Sequence, residues 1–266
     1  MPEGPECRRV AEGLLSAAQN KDLIKISVLG GRFLKKAPVG LDSLELPSRV
    51  ITGGVRGKFI WLELENEMTL WITLGMSGFW SAVQTGHAHL SLTFDDGTSV
   101  YFIDQRRFGT FKVAHKTELR KKLQTLGIDP LNDRNLSMFS MKDQLDRVPE
   151  KTIVEALMDQ RLFAGIGNYI KCEVLYRARV NPLTKVKDIT GSEIALLWNY
   201  CKAIMEASYR QGGASIRNYQ MIDSTKGDFV FEFEVYGRKT DPYGNSVERF
   251  ETPDGRTTHW VPAVQL

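Results

Sequence analysis

At 266 residues, with 42% hydrophobic and 25% charged residues, the chain is long enough for one large or two modest domains around a buried core. A formal net charge of +3 permits a polyanionic partner without demanding one, and no apolar run approaches the length of a membrane span. Cys7, Cys172 and Cys201 lie far apart without C-x-x-C spacing, which implies neither a disulfide framework nor a zinc site. They point to a reducing compartment. The N-terminus lacks the basic-then-apolar pattern of a secretory signal, so an intracellular chain is expected.

In chain order, the sequence begins Met1-Pro2-Glu3-Gly4-Pro5-Glu6. Methionine before proline is usually removed, and a secondary amine then remains at the end of the chain. An α-amino group titrates near pH ~8 and can attack an electrophilic carbon at neutral pH. With an aldehyde-like carbon the product is an iminium ion, an electron sink that divides a hard step into easier ones. Glu3 is one peptide bond away and can move a proton, while Gly4 and Pro5 would hold both groups in a tight turn. Many chains begin Met-Pro without such chemistry, so the rest of the sequence has to support it. Cys7, Val10, Ala11 and Leu14 recur at spacings of three and four, predicting an amphipathic helix directly after this end.

Short β-rich runs follow at 23–29, 59–64, 70–74, 90–94 and 100–103. Turn residues Gly53-Gly54, Asn66 and Asp95-Asp96-Gly97 divide them into an antiparallel sandwich or barrel. Three loops break the pattern. Val55-Arg56-Gly57-Lys58 places a cation on a hairpin, where Lys58 is either a solvated turn lysine or a phosphate contact. Leu74-Gly75-Met76-Ser77-Gly78 carries a methionine that is either core filler or a wedge for a base stack. In Asp104-Gln105-Arg106-Arg107-Phe108-Gly109, Arg106 can hydrogen-bond an orphaned base and Phe108 can wedge beside it. His87 and His89 fall on one strand face as structural residues.

A short charged helix at 119–126 and the loop Gly127-Ile128-Asp129-Pro130-Leu131 place a domain boundary near 130. Residues 132–211 are helical by period, with Ile153, Leu157, Ile166, Ile170, Val174 and Leu175 recurring at three, four and seven. Within them, Gly165-Ile166-Gly167-Asn168-Tyr169 exposes backbone amides just before a helix start. That arrangement can bind a phosphate, although it also serves as an ordinary interhelix turn. The helix stops at Gly212, and a long polar loop containing Ser215, Ile216, Arg217, Asn218 and Tyr219 runs to about 229. The tail, 229–266, alternates as strands, with Phe231, Phe233 and Val235 facing one way and turns at 241–245 and 252–255.

Taken together, these motifs resemble the formamidopyrimidine-DNA glycosylase and endonuclease VIII family, which excises oxidised bases from DNA. The resemblance spans essentially the whole chain. It implies an α+β fold in three parts. Residues 1–130 would form a catalytic antiparallel β-sandwich with flanking helices, and 131–228 a DNA-binding helix-two-turn-helix domain with a lesion-capping loop at 212–228. Residues 229–266 would form a finger hairpin. Members with a zinc finger would have cysteines where this chain has Tyr243, Ser246, Val261 and Val264. None of these is a thiolate ligand. A zincless finger is expected, held by Phe250, Trp260 and the two valines.

The resemblance further implies a bifunctional glycosylase and AP lyase. Pro2 would be the nucleophile, Glu3 the proton carrier and Lys58 a catalytic contact to the lesion phosphate. Met76, Arg106 and Phe108 would fill the hole left by a nucleotide rotated out of the duplex. Asn168 and Arg256, with Gly165, Gly167 and Tyr169, would hold the DNA backbone, and Glu6 would order the N-terminal turn. The expected partner is double-stranded DNA with a damaged base or abasic site, met by a monomer wherever DNA is kept. No metal or organic cofactor is implied. The long loop leans toward formamidopyrimidines and 8-oxoguanine, the zincless tail toward hydantoins and oxidised pyrimidines. Two other readings stand beside this one: a non-catalytic DNA-damage binder of the same fold, and an N-terminal-proline tautomerase.

Overall fold

The computed structural model describes residues 2–213 and 232–266. Its contacts divide the chain into two compact units. The first holds Pro2 and Glu6–Gln124 with Gly212 and Gly213; the second holds Glu3–Pro5, Thr125–Gln211 and residues 232–266.

Helix α1 (Gly4–Ala18) starts earlier than its apolar spacing predicts. Pro5 suits that first turn because its missing N–H would have no intrahelical partner there. Eight strands follow: β1 (Asp22–Val28), β2 (Ser48–Arg56), β3 (Phe59–Leu64), β4 (Met68–Thr73), β5 (Phe79–Ser81), β6 (Ala88–Phe94), β7 (Ser99–Ile103) and β8 (Thr110–His115). Helix α2 (Lys116–Gln124) closes this unit. The strand order is β5-β7-β6-β1-β2-β3-β4-β8. Strands β1 and β2 pair only at Asp22 with Arg49 and Leu23 with Ser48, so the sheet falls into two four-stranded halves. Leu23, Leu90, Phe94 and Phe102 from one half share a core with Ile60, Leu62, Leu70 and Ile72 from the other, and α1 adds Cys7, Val10 and Leu14. Each such side chain removed from water contributes about 1.5–3 kcal/mol. The expected sandwich is the result.

Two details differ from the sequence reading. Gly53 and Gly54 do not turn the chain; they pair with Leu62 and Trp61 inside β2. A Cβ at Gly54 would stand 2.6 Å from the Trp61 ring, so glycine is needed for that ring to lie against the strand. His87 sits in an exposed turn before β6 and shares no strand face with buried His89, whose Nε2 lies 2.7 Å from the Asp104 carbonyl.

The second unit contains α3 (Met138–Leu145), α4 (Ile153–Met158), α5 (Asn168–Ala178) and α6 (Gly191–Arg210), then β9 (Glu248–Thr252) and β10 (Arg256–Trp260). Thr152 with Glu155 and Thr190 with Glu193 form capping boxes that set the starts of α4 and α6. The tail is less regular than its alternation suggests. Residues 232–239 form no strand, because the backbone N–H groups of Glu234, Val235 and Tyr236 donate to the carboxylate of Glu173 at 2.8–3.0 Å. Strands β9 and β10 pair from Thr252 with Arg256 to Glu248 with Trp260, and Thr240 forms an isolated antiparallel bridge with Ser246.

Candidate active site and nucleic-acid contacts

Glu3 is almost fully buried, at 2% exposure, and its carboxylate caps α5. The N–H groups of Tyr169 and Ile170 donate to Oε1 at 2.9 Å and to Oε2 at 3.2 Å. These amides belong to the first turn of α5, where they have no intrahelical acceptor and where the helix dipole favours an anion. The preceding loop is shaped for this approach. Gly4 N donates to Gly165 O at 2.9 Å, and Gly165 adopts φ +100°, a region that favours glycine. Gln160 ties the loop from within: its Nε2 donates to Ile166 O at 2.8 Å, and its Oε1 accepts from Gly165 N at 3.0 Å. At Gly167 the backbone is ordinary, but a Cβ there would lie 2.2 Å from the Glu3 carboxyl carbon. Just before the loop, Asp159 is held down to about 2 by the Arg161 guanidinium, which donates through Nε and Nη2 at 2.9 and 2.7 Å.

The anion at the start of α5 is therefore Glu3, where the sequence pattern suggested a phosphate. Tyr169 supplies its backbone amide there, while its ring is buried against Phe233 and its hydroxyl lies 3.0 Å from Ser208 Oγ. Asn168 donates through Nδ2 to Thr257 O at 2.9 Å, leaving Oδ1 buried without a partner. Pro2, also buried, is one residue from Glu3. Glu6 is fully buried in the first turn of α1, and Gly213, at φ +94°, leaves room for it: a Cβ there would approach Glu6 Cγ at 3.0 Å.

In the first unit, Met76, Arg106 and Phe108 stand on two loops fastened to each other by a buried carboxylate. Asp104, 1% exposed, accepts from Ser77 Oγ at 2.6 Å and from Gly109 N at 2.7 Å. Ser77 Oγ in turn accepts from Arg106 N at 2.9 Å. Gly75, at φ +61°, packs so closely that a Cβ would meet Gly109 N and Phe108 C at 2.6 Å. Met76 is half-buried and Arg106 exposed; Phe108 is 55% exposed, with the Arg106 guanidinium 5.5 Å from its ring centre. Lys58 follows Gly57, at φ +57°, in the turn between β2 and β3. Residues Ser215, Ile216, Arg217, Asn218 and Tyr219 lie outside the described residues.

The finger is held by more than the apolar contacts expected of it. Val235, Val247 and Val261 cluster with Cys172 and Tyr176, and Phe250 and Trp260 meet edge to face at 5.6 Å. Polar anchors from α5 add to these. Lys171 Nζ donates to Asp254 Oδ2 at 2.6 Å, Cys172 Sγ accepts from His259 N at 3.3 Å, and Tyr176 Oη donates to Asp241 Oδ2 at 3.0 Å. Burial pushes the Cys172 thiol up to about 12, as befits a packed, unreactive group. Tyr243 is exposed and Val261 fully buried, and with Ser246 and Val264 they present no donor set for zinc. Among the described residues no cluster of three or more His, Cys, Asp or Glu side chains is arranged to hold a metal. Arg256 is exposed at the start of β10. Sequence reading missed Asp104, Ser77, Gln160 and Lys171 as organising residues. Their only signal was polarity beside glycine-rich turns.

Comparison with known proteins agrees with this arrangement along the whole chain. The pattern of the formamidopyrimidine-DNA glycosylase N-terminal domain matches residues 1–111, that of its H2TH domain residues 126–220 and that of its C-terminal domain residues 222–266. The chain is 32% identical to a formamidopyrimidine-DNA glycosylase of Gluconobacter oxydans, covering 100% of both proteins. It is 31% identical to one of Legionella pneumophila, covering 100% of this chain and 98% of that one. Among solved structures, the MutM (Fpg) protein of Thermus thermophilus matches with a TM-score of 0.86 at 28% identity, over 99% of this chain and 98% of that one. Lactococcus lactis Fpg in complex with abasic-site DNA matches at 0.85 and 26%, over 99% of each chain. A mutant of the same protein bound to DNA containing Fapy-dG matches at 0.85 and 25%, again over 99% of each. Fold and site thus define a DNA glycosylase built from a β-sandwich and a helix-two-turn-helix unit. The chain belongs to the formamidopyrimidine-DNA glycosylase family.

Proposed function

We propose that this chain is a bifunctional DNA glycosylase and AP lyase that excises oxidised bases, formamidopyrimidines among them, and processes abasic sites in double-stranded DNA. The observation that carries the reading is the buried carboxylate of Glu3, fixed on two amides of α5 and one residue from Pro2. Once Met1 is removed, the Pro2 nitrogen attacks C1′ of an extruded nucleotide and the bond to the base breaks, the base leaving with a proton. Glu3 passes a proton to the ring oxygen as the C1′–O4′ bond opens, which leaves an iminium between Pro2 and C1′. The iminium acidifies C2′. Loss of a proton there expels the 3′ phosphate, and a second elimination expels the 5′ phosphate.

Lys58, Asn168 and Arg256 hold the backbone in this reading, and Met76, Arg106 and Phe108 occupy the space vacated by the nucleotide. The relatives solved with Fapy-dG and abasic-site DNA support the substrate class. Borohydride reduction in the presence of abasic-site duplex tests the chemistry. A covalent adduct at Pro2, located by peptide mass spectrometry, is expected, with base excision abolished or greatly reduced in Pro2→Gly while that variant still binds the duplex. An adduct on another residue, or undiminished excision by Pro2→Gly, would reject the assignment. A panel of single-lesion duplexes ranks formamidopyrimidines against hydantoins and oxidised pyrimidines.

A further inference from the structure

Lys171 and Asp254 have no part in the chemistry above, yet they form the most deeply buried ion pair among the described residues, with side chains 0% and 2% exposed and 2.6 Å between Nζ and Oδ2. A buried ion pair seldom stabilises a fold more than apolar residues of similar size would, because desolvating both charges offsets their attraction. What such a pair does provide is a fixed geometry.

Its connections lead to one place. Asp254 lies in the turn between β9 and β10, two residues before Arg256, and its other oxygen accepts from Thr252 Oγ1. That hydroxyl is also 2.9 Å from the Arg256 carbonyl and 2.7 Å from Thr258 Oγ1; Thr252 and Thr258 are both buried. The neighbouring residues of the same helix hold β10 just beyond Arg256, through Asn168 to the Thr257 carbonyl and through Cys172 to the His259 amide. The first turn of α5 also carries the amides that bind Glu3.

We propose that Lys171 and Asp254 are positioning residues: the pair locks the β9–β10 turn onto α5 and so fixes where Arg256 stands. Lys171 thereby does for this finger the work of a crosslinking metal ion. The proposal rests on the reading of Arg256 as a phosphate contact.

Three variants of the full chain, assayed on a duplex with one abasic site, test it: Lys171→Met with Asp254→Leu, Arg256→Ala alone, and all three changes combined. Removing both charges leaves no lone buried charge, so the double variant is expected to keep its melting temperature within a few degrees. Its KM is expected to rise about as far as that of Arg256→Ala, of order tenfold, with the smaller effect in kcat. Adding Arg256→Ala to the double variant should then raise KM less than about twofold further, since a contact already lost cannot be lost again. Natural KM in the double variant, or full additivity of the three changes, overturns the proposal while leaving Arg256→Ala impaired. If Arg256→Ala itself leaves KM unchanged, the phosphate reading of Arg256 fails and takes the proposal with it. Should the double variant not fold, Lys171→Met with Asp254→Asn, which keeps an acceptor for Thr252 and leaves no lone buried charge, replaces it and has to show the same non-additivity.

Discussion

A methyl group at residue 167 would stand 2.2 Å from the carboxyl carbon of Glu3 and within 2.6 Å of both its oxygens. Gly167 has φ −134° and ψ −162°, open to any residue, so its identity is set by this approach and not by backbone strain. Gly167→Ala should therefore displace Glu3 from the amides of Tyr169 and Ile170 and lower kcat by about 10²-fold, the usual consequence of moving a catalytic group by an ångström. Single-turnover excision beside a thermal melt checks this. Activity within threefold of the natural chain would show that Glu3 does not need those amides. Tyr169 makes the complementary point. Its amide is at the site while its ring is in the core, so Tyr169→Phe should spare the site and cost about 1 kcal/mol of stability for the lost hydrogen bond with Ser208.

The two loops that carry Met76, Arg106 and Phe108 behave as one element because Asp104 and Ser77 join them. Asp104→Ala leaves the Ser77 hydroxyl and the Gly109 amide without their acceptor, at about 1–3 kcal/mol each when buried. Excision from duplex DNA should fall well below that from single-stranded DNA, where no hole opens in a stack; equal losses on both would separate Asp104 from void filling. The finger has a pH response of its own. Burial, with Arg249 and Lys171 nearby, lowers His259 below its ordinary 6.5. The residue stays neutral in the fold while the unfolded chain takes up a proton, so stability is lost as pH falls below about 6.5 and levels off beneath the folded value. Melting curves from pH 7.5 to 5 should show a steeper decline for the natural chain than for His259→Gln. Identical declines would remove His259 from the account.

Across the whole molecule the net charge of +3 is too small to steer DNA by itself, so affinity has to come from particular contacts. Binding to an abasic-site duplex should weaken steeply with salt, with a log–log slope near −0.9 for each phosphate neutralised. On the proposed roles, Lys58→Ala and Arg256→Ala should each reduce that slope by about one, whereas Arg106→Ala, which would remove a base contact, should leave it unchanged and reduce discrimination between opposite bases. Filter-binding titrations distinguish the two classes, and a slope altered by Arg106→Ala would move it among the phosphate contacts.

Residues close in sequence made much of this legible. The spacing of Cys7, Val10, Ala11 and Leu14 located α1, the period through Ile170, Val174 and Leu175 located α5, and the turns at Asn66 and 95–97 fell where expected, because those patterns depend on neighbours within a turn or a hairpin. Gly53-Gly54 misled, since the ring that needs those glycines is on another strand. The tail misled for a related reason: Glu173, about sixty residues earlier, takes the amides that a strand would have paired. By itself the sequence determined the nucleophile candidate, the loops that carry Lys58, Met76, Arg106 and Phe108, and the lack of cysteines in the finger. Only the tertiary structure decided that the start of α5 holds Glu3, 166 residues away, and that Lys171 is buried on Asp254, 83 residues away. A polar side chain looks the same in sequence whether it meets water or a partner, and burial makes the difference.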